Sequence, residues 1–235
     1  RGSVPKGFSD LLDAGDLVYL FVDNDQVKLD QVPQAQSSLI SFNPKTGEVL
    51  SYVGGSVFNN SQFDRVRQSY PQSGSVFKPF IYASAFSGGY NPSSLINDAP
   101  IIFEDKNLET FWRPENYSGK FYGLTTLREA LVQSINIVSI KLLREIGIKK
   151  SSETIDNFGF GSERLPQDLS LALGSGNFSP AEVARGFSVF ANDGMISDIH
   201  YVSQIKDKNG DIIFDHSEID VVNISSISAF PWLNT

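Results

Sequence analysis

Short apolar runs bounded by polar and turn residues lie toward both ends of this chain, and longer apolar segments with helix-capping signals lie in between. Residues 17–22 read Leu-Val-Tyr-Leu-Phe-Val and predict a strand, with residues 26–29 placed to pair with it across Asp23-Asn24-Asp25. Residues 38–42 and 48–53 are better strands. Asn43-Pro44-Lys45-Thr46-Gly47 between them is a hairpin loop by composition, and Gly54-Gly55 closes the second strand. Residues 1–16 carry no such pattern and read as linker, and residues 56–71 are polar and irregular.

The middle of the chain is helical. A continuous apolar run through Phe80, Ile81, Tyr82, Ala83, Ala85 and Phe86 stops at Gly88-Gly89, with Pro79 near its first turn, where a missing N–H costs little. Thr126-Leu127-Arg128-Glu129 is a capping box opening a helix that runs to about Val132. Gln133-Ser134-Ile135-Asn136 interrupts it, and residues 137–146 form the next helix, ended by Gly147. Residues 153–158 predict a short helix. Ser179-Pro180-Ala181-Glu182 caps another, carrying Val183, Ala184, Phe187 and Phe190 and ending at Gly194. Strands return at residues 201–205 and 212–214 around Asn209-Gly210. Residues 90–123 show no clear period and predict a long loop, either a functional one or a packed surface meander. Residues 217–235 have no strong pattern. Strands, a helical block, then strands again predict an α+β fold, an antiparallel sheet drawn from both ends of the chain with helices between.

Composition narrows the chemistry. The 235 residues are 40% hydrophobic, enough for a real core, and the net charge of −8 argues against nucleic acid as a partner. Cysteine is absent, which excludes disulfides and zinc–thiolate sites. His200 and His216 are the only imidazoles, so a Ser-His-Asp triad or a histidine-rich metal site is not expected. No stretch has the apolar length to span a bilayer and no signal-peptide pattern opens the chain. The start at Arg1-Gly2-Ser3-Val4 lacks an initiator methionine and reads as part of something longer. A division into residues 1–36, linker and the end of a small β region, and residues 37–235, the main domain, follows.

A nucleophilic serine in such a chain needs a base other than histidine. In Gln72-Ser73-Gly74-Ser75-Val76-Phe77-Lys78-Pro79-Phe80, Ser75 and Lys78 fall at i and i+3 and share a helix face, and Lys78 sits among apolar residues. A serine beside an amine at the positive end of a buried helix is a nucleophile–base arrangement. The Ser-x-x-Lys spacing recurs at Ser3–Lys6 and Ser203–Lys206, so context must single out this copy. Ser134 and Asn136, on the break between two helices, present polar side chains on a turn. Ser-x-Asn also recurs, at Ser41–Asn43 and Ser175–Asn177.

Ser75-x-x-Lys78 followed by Ser134-x-Asn136 is the motif order of the penicillin-recognising serine acyl transferases. The chain resembles the transpeptidase domain of class A (bifunctional) penicillin-binding proteins of the Gram-negative type. The resemblance also rests on Asn43-Pro44-x-Thr46-Gly47, Val53-Gly54-Gly55, Ser61-Gln62-Phe63-Asp64-Arg65, Asn97-Asp98-Ala99-Pro100, Trp112-x-Pro114-x-Asn116, Thr126-Leu127-Arg128 and Ser170-Leu171-Ala172-Leu173-Gly174. It covers roughly residues 30–215. It implies a penicillin-binding protein transpeptidase or serine β-lactamase-like fold, an incomplete one here, and no cofactor or metal. Ser75 would attack the D-Ala-D-Ala carbonyl of a peptidoglycan stem peptide, with Lys78 as base. Ser134 would relay a proton to the leaving nitrogen, and Asn136 would bind the substrate backbone. β-Lactams would trap the acyl-enzyme. The implied setting is the periplasmic face of the bacterial inner membrane, with an upstream glycosyltransferase domain and an N-terminal anchor outside this chain.

One departure stands out. The family's third motif, Lys-Thr-Gly or a close variant, follows Ser-x-Asn, and nothing downstream of Asn136 matches it. Lys45-Thr46-Gly47 has the letters but precedes Ser75, on a hairpin loop. The expectation is that the chain stops before that motif and that residues 1–235 alone acylate slowly or not at all. The alternatives are a D,D-carboxypeptidase or β-lactamase-like hydrolase, for which no water-activating base is evident, and a non-catalytic module that binds peptidoglycan or a partner protein.

Overall fold

The computed structural model describes residues 7, 10–24, 26–31, 35–59, 61–105, 110–216 and 222–223. The chain divides into two compact units, Arg1–Gln36 and Ser37–Thr235. In the first, β1 (Tyr19–Asp23) pairs antiparallel with β2 (Gln26–Asp30), the hairpin expected from the apolar run and the Asp23-Asn24-Asp25 turn.

The second unit opens with the antiparallel hairpin β3 (Leu39–Phe42) and β4 (Val49–Val53), with a register shift between Ser41 and Phe42. Its loop carries Lys45-Thr46-Gly47. Gly47 is in the left-handed region (φ +76°), and a Cβ there would lie 1.9 Å from the Asp198 carbonyl oxygen, so the turn is pressed against the chain after the last helix. His200 continues that contact: its N–H donates to the Gly47 carbonyl (3.0 Å) and its carbonyl accepts from Val49 N–H (3.0 Å). Chain from both sides of the helical block thus meets at one edge through a parallel bridge, Glu48–His200, while the described strands pair as two-stranded antiparallel sheets rather than as one sheet drawn from both ends.

The helical block is organised around α1 (Lys78–Ser87). Lys78, Phe80, Ile81, Tyr82, Ala83, Ser84 and Ala85 are all buried, so α1 is covered on every side and its sequence shows a run rather than a stripe. Around it lie α2 (Leu127–Val132), α3 (Asn136–Ile146), α4 (Ile148–Asp156) and α5 (Pro180–Ala191). Phe80 is fully buried among Phe160, Phe187 and Phe158, at centroid distances of 4.8, 5.0 and 5.2 Å. Ser179 and Glu182 form the expected capping box at the start of α5. Thr126 Oγ1 accepts from Glu129 N–H at the start of α2.

Two further expectations are corrected. Residues 90–123 are not a structureless loop. β5 (Leu95–Asp98) pairs with β8 (Gly123–Thr126), and β6 (Phe103–Asp105) pairs with β7 (Thr110–Trp112) inside that span. The alternation in β5 is real, but its two buried positions are Ile96 and Asp98, and the aspartate hides the pattern. α4 begins at Ile148, not 153, because Ser151 and Ser152 occupy its buried face alongside Ile155. β9 (Met195–Ile196) pairs with β12 (Val222–Asn223), segments too short to carry a period. Between them, β10 (Gln204–Lys206) and β11 (Ile212–Asp215) form the expected hairpin. The remaining residues of 217–235 lie outside the described residues. No helix among the described residues is long and apolar enough to cross a membrane.

Candidate active site

Ser75 lies in a 3-10 turn, Gly74–Phe77, that runs directly into α1. It is exposed, while Lys78, one turn on, is 1% exposed. The backbone leading into Ser75 is held from across the molecule. Gly74 N–H donates to Gly174 O (2.9 Å), Ser73 N–H donates to Gly176 O (3.0 Å), and Ser73 Oγ reaches both carbonyls at 3.2 Å. Gly174 is in the left-handed region (φ +71°), and a Cβ there would sit 1.9 Å from the Gly74 carbonyl oxygen. Only glycine allows that approach. Gly174→Ala is therefore expected to cost more than about 2 kcal/mol of stability, through backbone strain and separation of the two segments. Urea denaturation checks it, and a change within about 0.5 kcal/mol would count against the clasp.

Lys78 Nζ donates to Ser134 O (2.6 Å), Ser134 Oγ (3.1 Å) and Asn136 Oδ1 (2.7 Å). The three partners come from the break between α2 and α3, and the break has a definite geometry. Ser134 N–H donates to Leu131 O (3.0 Å) and Ile135 N–H to Ala130 O (2.8 Å). These are the two bonds of a Schellman helix end, in which the residue after the C-cap is left-handed and usually glycine. Here that residue is Ser134, at φ +53°. A left-handed serine costs about 1–2 kcal/mol. In return it turns both its hydroxyl and its carbonyl toward one amine, and glycine would offer no hydroxyl.

Burial lowers the Lys78 ammonium from 10.5 to about 8. Its three neighbours are neutral acceptors rather than carboxylates, so no negative charge among them holds the proton on. At pH 7 about one amine in ten is then neutral and able to accept a proton.

Motif order along the chain links Ser75, Lys78, Ser134 and Asn136. In the structure Lys78, Ser134 and Asn136 are in direct contact, with Ser75 on the preceding turn. Lys45-Thr46-Gly47 lies on the β3–β4 turn, where Ser197 Oγ donates to the Pro44 and Lys45 carbonyls. Reasoning from sequence gave no role to Glu115, Asn116 or Asp98. Asn116 Oδ1 accepts from the N–H groups of Asn136 (3.0 Å) and Ile137 (3.1 Å), and Glu115 O accepts from Asn136 Nδ2 (2.9 Å). The available signal was that Asp98 and Asn116 both belong to segments that carry the family resemblance, Asn97-Asp98-Ala99-Pro100 and Trp112-x-Pro114-x-Asn116. Either side of Ser134, Gln133 and Ile135 line a cavity of about 530 Å³ shared with Tyr122, Thr125 and Glu129.

Residues 38–230 match the family described as penicillin binding protein transpeptidase domain. Penicillin-binding protein 1A of Pseudomonas aeruginosa is 41% identical over 214 residues, which is 91% of this chain and 26% of that protein. The crystal structure of penicillin-binding protein 1A from Haemophilus influenzae superposes with a TM-score of 0.80 at 34% identity, covering 87% of this chain and 30% of that one. PonA1 of Mycobacterium tuberculosis, solved in complex with penicillin V, shares the fold (TM-score 0.68, 21% identity, 80% of this chain and 53% of that one). The chain thus spans about a quarter of the length of the curated relatives it matches. With the Ser75 and Ser134 segments packed as described and the match running through both, the chain belongs to the penicillin-binding protein transpeptidase family.

Proposed function

We propose that this chain carries the acylation centre of a peptidoglycan D,D-transpeptidase. One observation carries the reading: a buried amine, Lys78, bonded to Ser134 and Asn136 and one turn after an exposed serine. Neutral Lys78 takes the Ser75 hydroxyl proton as Oγ attacks the carbonyl carbon of the penultimate D-alanine. The peptide C–N bond then breaks. The leaving nitrogen receives a proton through Ser134 Oγ, and free D-alanine departs. An acceptor amine attacks the resulting ester, passes a proton back along the same path and frees Ser75. A β-lactam enters by the same attack, its ring amide bond replacing the peptide bond. That PonA1 was solved with penicillin V supports extending β-lactam binding to this chain.

Asn136 divides its amide. Its oxygen accepts from Lys78 and its nitrogen donates to Glu115 O. It is half-buried, which leaves it an edge for a substrate backbone. The Ser75 N–H is one candidate oxyanion donor. The resemblance places the second on the Lys-Thr-Gly strand, and losing one such donor costs about 10²–10³ in rate. The resemblance supports a longer protein in which this domain would cross-link strands made by an upstream glycosyltransferase region at the periplasmic face of the inner membrane.

The test is product analysis with the full-length protein carrying this chain, a stem pentapeptide ending in D-Ala-D-Ala, and an amine acceptor. Cross-linked product matching D-alanine release is expected. Free tetrapeptide as the main product would make the protein a hydrolase, and no D-alanine release would make it a binding module.

A further inference from the structure

The turn that holds Lys78 is itself held by residues outside the acyl-transfer motifs. α3 begins after Ile135, whose apolar side chain gives no capping hydrogen bond. The first helical N–H groups need acceptors from elsewhere. Asn116 supplies them: its Oδ1 accepts from both Asn136 and Ile137. Next to it, the Glu115 carbonyl accepts from the Asn136 side-chain amide. Two adjacent residues thus fix Asn136 twice, once through its backbone and once through its side chain. The second contact decides which atom faces Lys78, because the nitrogen is engaged by Glu115 and only the oxygen is left for the amine.

Asn116 has the same ambiguity, and Asp98 removes it. Asn116 Nδ2 donates to Asp98 Oδ1 (3.0 Å) and Oδ2 (2.9 Å) and to Lys120 O (2.8 Å). A carboxylate only accepts, so the amide nitrogen must face Asp98 and the oxygen must face α3. Asp98 and Asn116 are 1% and 6% exposed, and a buried carboxylate is retained only with partners. Tyr122 N–H donates to Asp98 Oδ2 (2.9 Å), and Lys141 Nζ anchors on the carbonyls of Asn97 (2.7 Å) and Ala99 (3.0 Å) either side of it.

We propose that Asn116, oriented by the buried carboxylate of Asp98, is a positioning residue for acyl transfer: together with the Glu115 carbonyl it sets Asn136, and through Asn136 the amine of Lys78. The inference rests on the transpeptidase reading above. Asn116 acts before any substrate arrives. Its loss lets the α3 terminus and the Asn136 amide rotate, so that Lys78 no longer meets Ser75 at the angle proton transfer needs.

The experiment is a double-mutant cycle on the full-length protein with benzylpenicillin as probe, resolving the covalent step from the preceding non-covalent affinity. Asn116→Ala should slow the covalent step on the order of 10–100-fold, by analogy with the loss of a residue that orients a metal ligand, with non-covalent affinity nearly unchanged. In an Asn136→Ala background the same substitution should cost at least about fivefold less, because its main route of action is already gone. A merely structural role would cost the same in both backgrounds, and that result would overturn the inference. So would an unchanged covalent step in Asn116→Ala when Asn136→Ala is slow. Should Asn116→Ala fail to fold, isosteric Asp98→Asn carries the same pair of expectations. If the unsubstituted protein takes no label, the acyl-transfer reading falls and this inference with it. Labelling that depends on Asn136 but not on Asn116 removes this inference alone.

Discussion

Ser75→Ala is expected to abolish covalent capture of penicillin while leaving the fold intact. Ser75 is exposed, and its position comes from the backbone around it: the Gly74–Gly174 and Ser73–Gly176 bonds, and the Lys78 N–H bonded to the Ser75 carbonyl. Its hydroxyl has no part in that clasp. Alanine therefore keeps the turn, and stability should change by no more than about 0.5 kcal/mol. Chemistry is affected differently. The neighbouring hydroxyls are already engaged, Ser73 Oγ on the Gly174 and Gly176 carbonyls and Ser134 Oγ on Lys78, so neither replaces the lost nucleophile. Removing a nucleophile from a serine acyl-transfer site costs on the order of 10⁶ in rate. Fluorescent penicillin followed on a denaturing gel should label the unsubstituted full-length protein one to one and leave its Ser75→Ala variant dark. A labelled variant with an unchanged melting profile would mean that acylation happens elsewhere.

The second large effect is in pH. With burial holding Lys78 at about 8, the neutral amine is the minor form at pH 6 and the major form at pH 9. The sign follows from its role. If the neutral amine takes the Ser75 proton, the acylation rate rises about tenfold per pH unit below 8 and levels off above it. A profile that falls through pH 8 would mean the ammonium is the working form, and the base would have to be sought elsewhere. Lys78→Arg keeps a cation at the same place but with a group that does not lose its proton in this range. It should slow acylation by about 10²–10⁴ and flatten the rise at pH 8. Stopped-flow measurement of β-lactam acylation from pH 6 to pH 9.5 reads both. Stability cannot mimic this pattern, since Lys78→Arg would lower the amplitude of labelling by unfolding but would not remove the slope.

How much of this was legible beforehand depended on which residues face the core. α1 was readable because it is apolar all round, and the β3–β4 and β10–β11 hairpins because their loops contain Asn-Pro and Asn-Gly. β5 and the start of α4 were hidden for a shared reason: Asp98, Ser151 and Ser152 occupy buried positions, where a pattern reading expects apolar residues. β9 and β12 are two residues each and have no period to read. In the site, motif order brought Ser75, Lys78, Ser134 and Asn136 together. Spacing could not show that Ser134 sits left-handed at a helix end, because that conformation usually announces itself with glycine. Nor could it show that Asn116 caps a helix twenty positions further on. Capping is read from sequence only when the cap is adjacent, as with Ser179 and Thr126. Asp98 and Asn116 meet because β5 and the segment before β8 pack together, a tertiary fact.

Ser75 Oγ is the atom at which acylation is expected. Mapping the penicilloyl group by peptide mass spectrometry, after brief exposure of the full-length protein to benzylpenicillin, addresses that directly. One adduct per chain, on Ser75, is the predicted result. An adduct on Ser134 or any other residue, or a protein that stays unmodified, would contradict it.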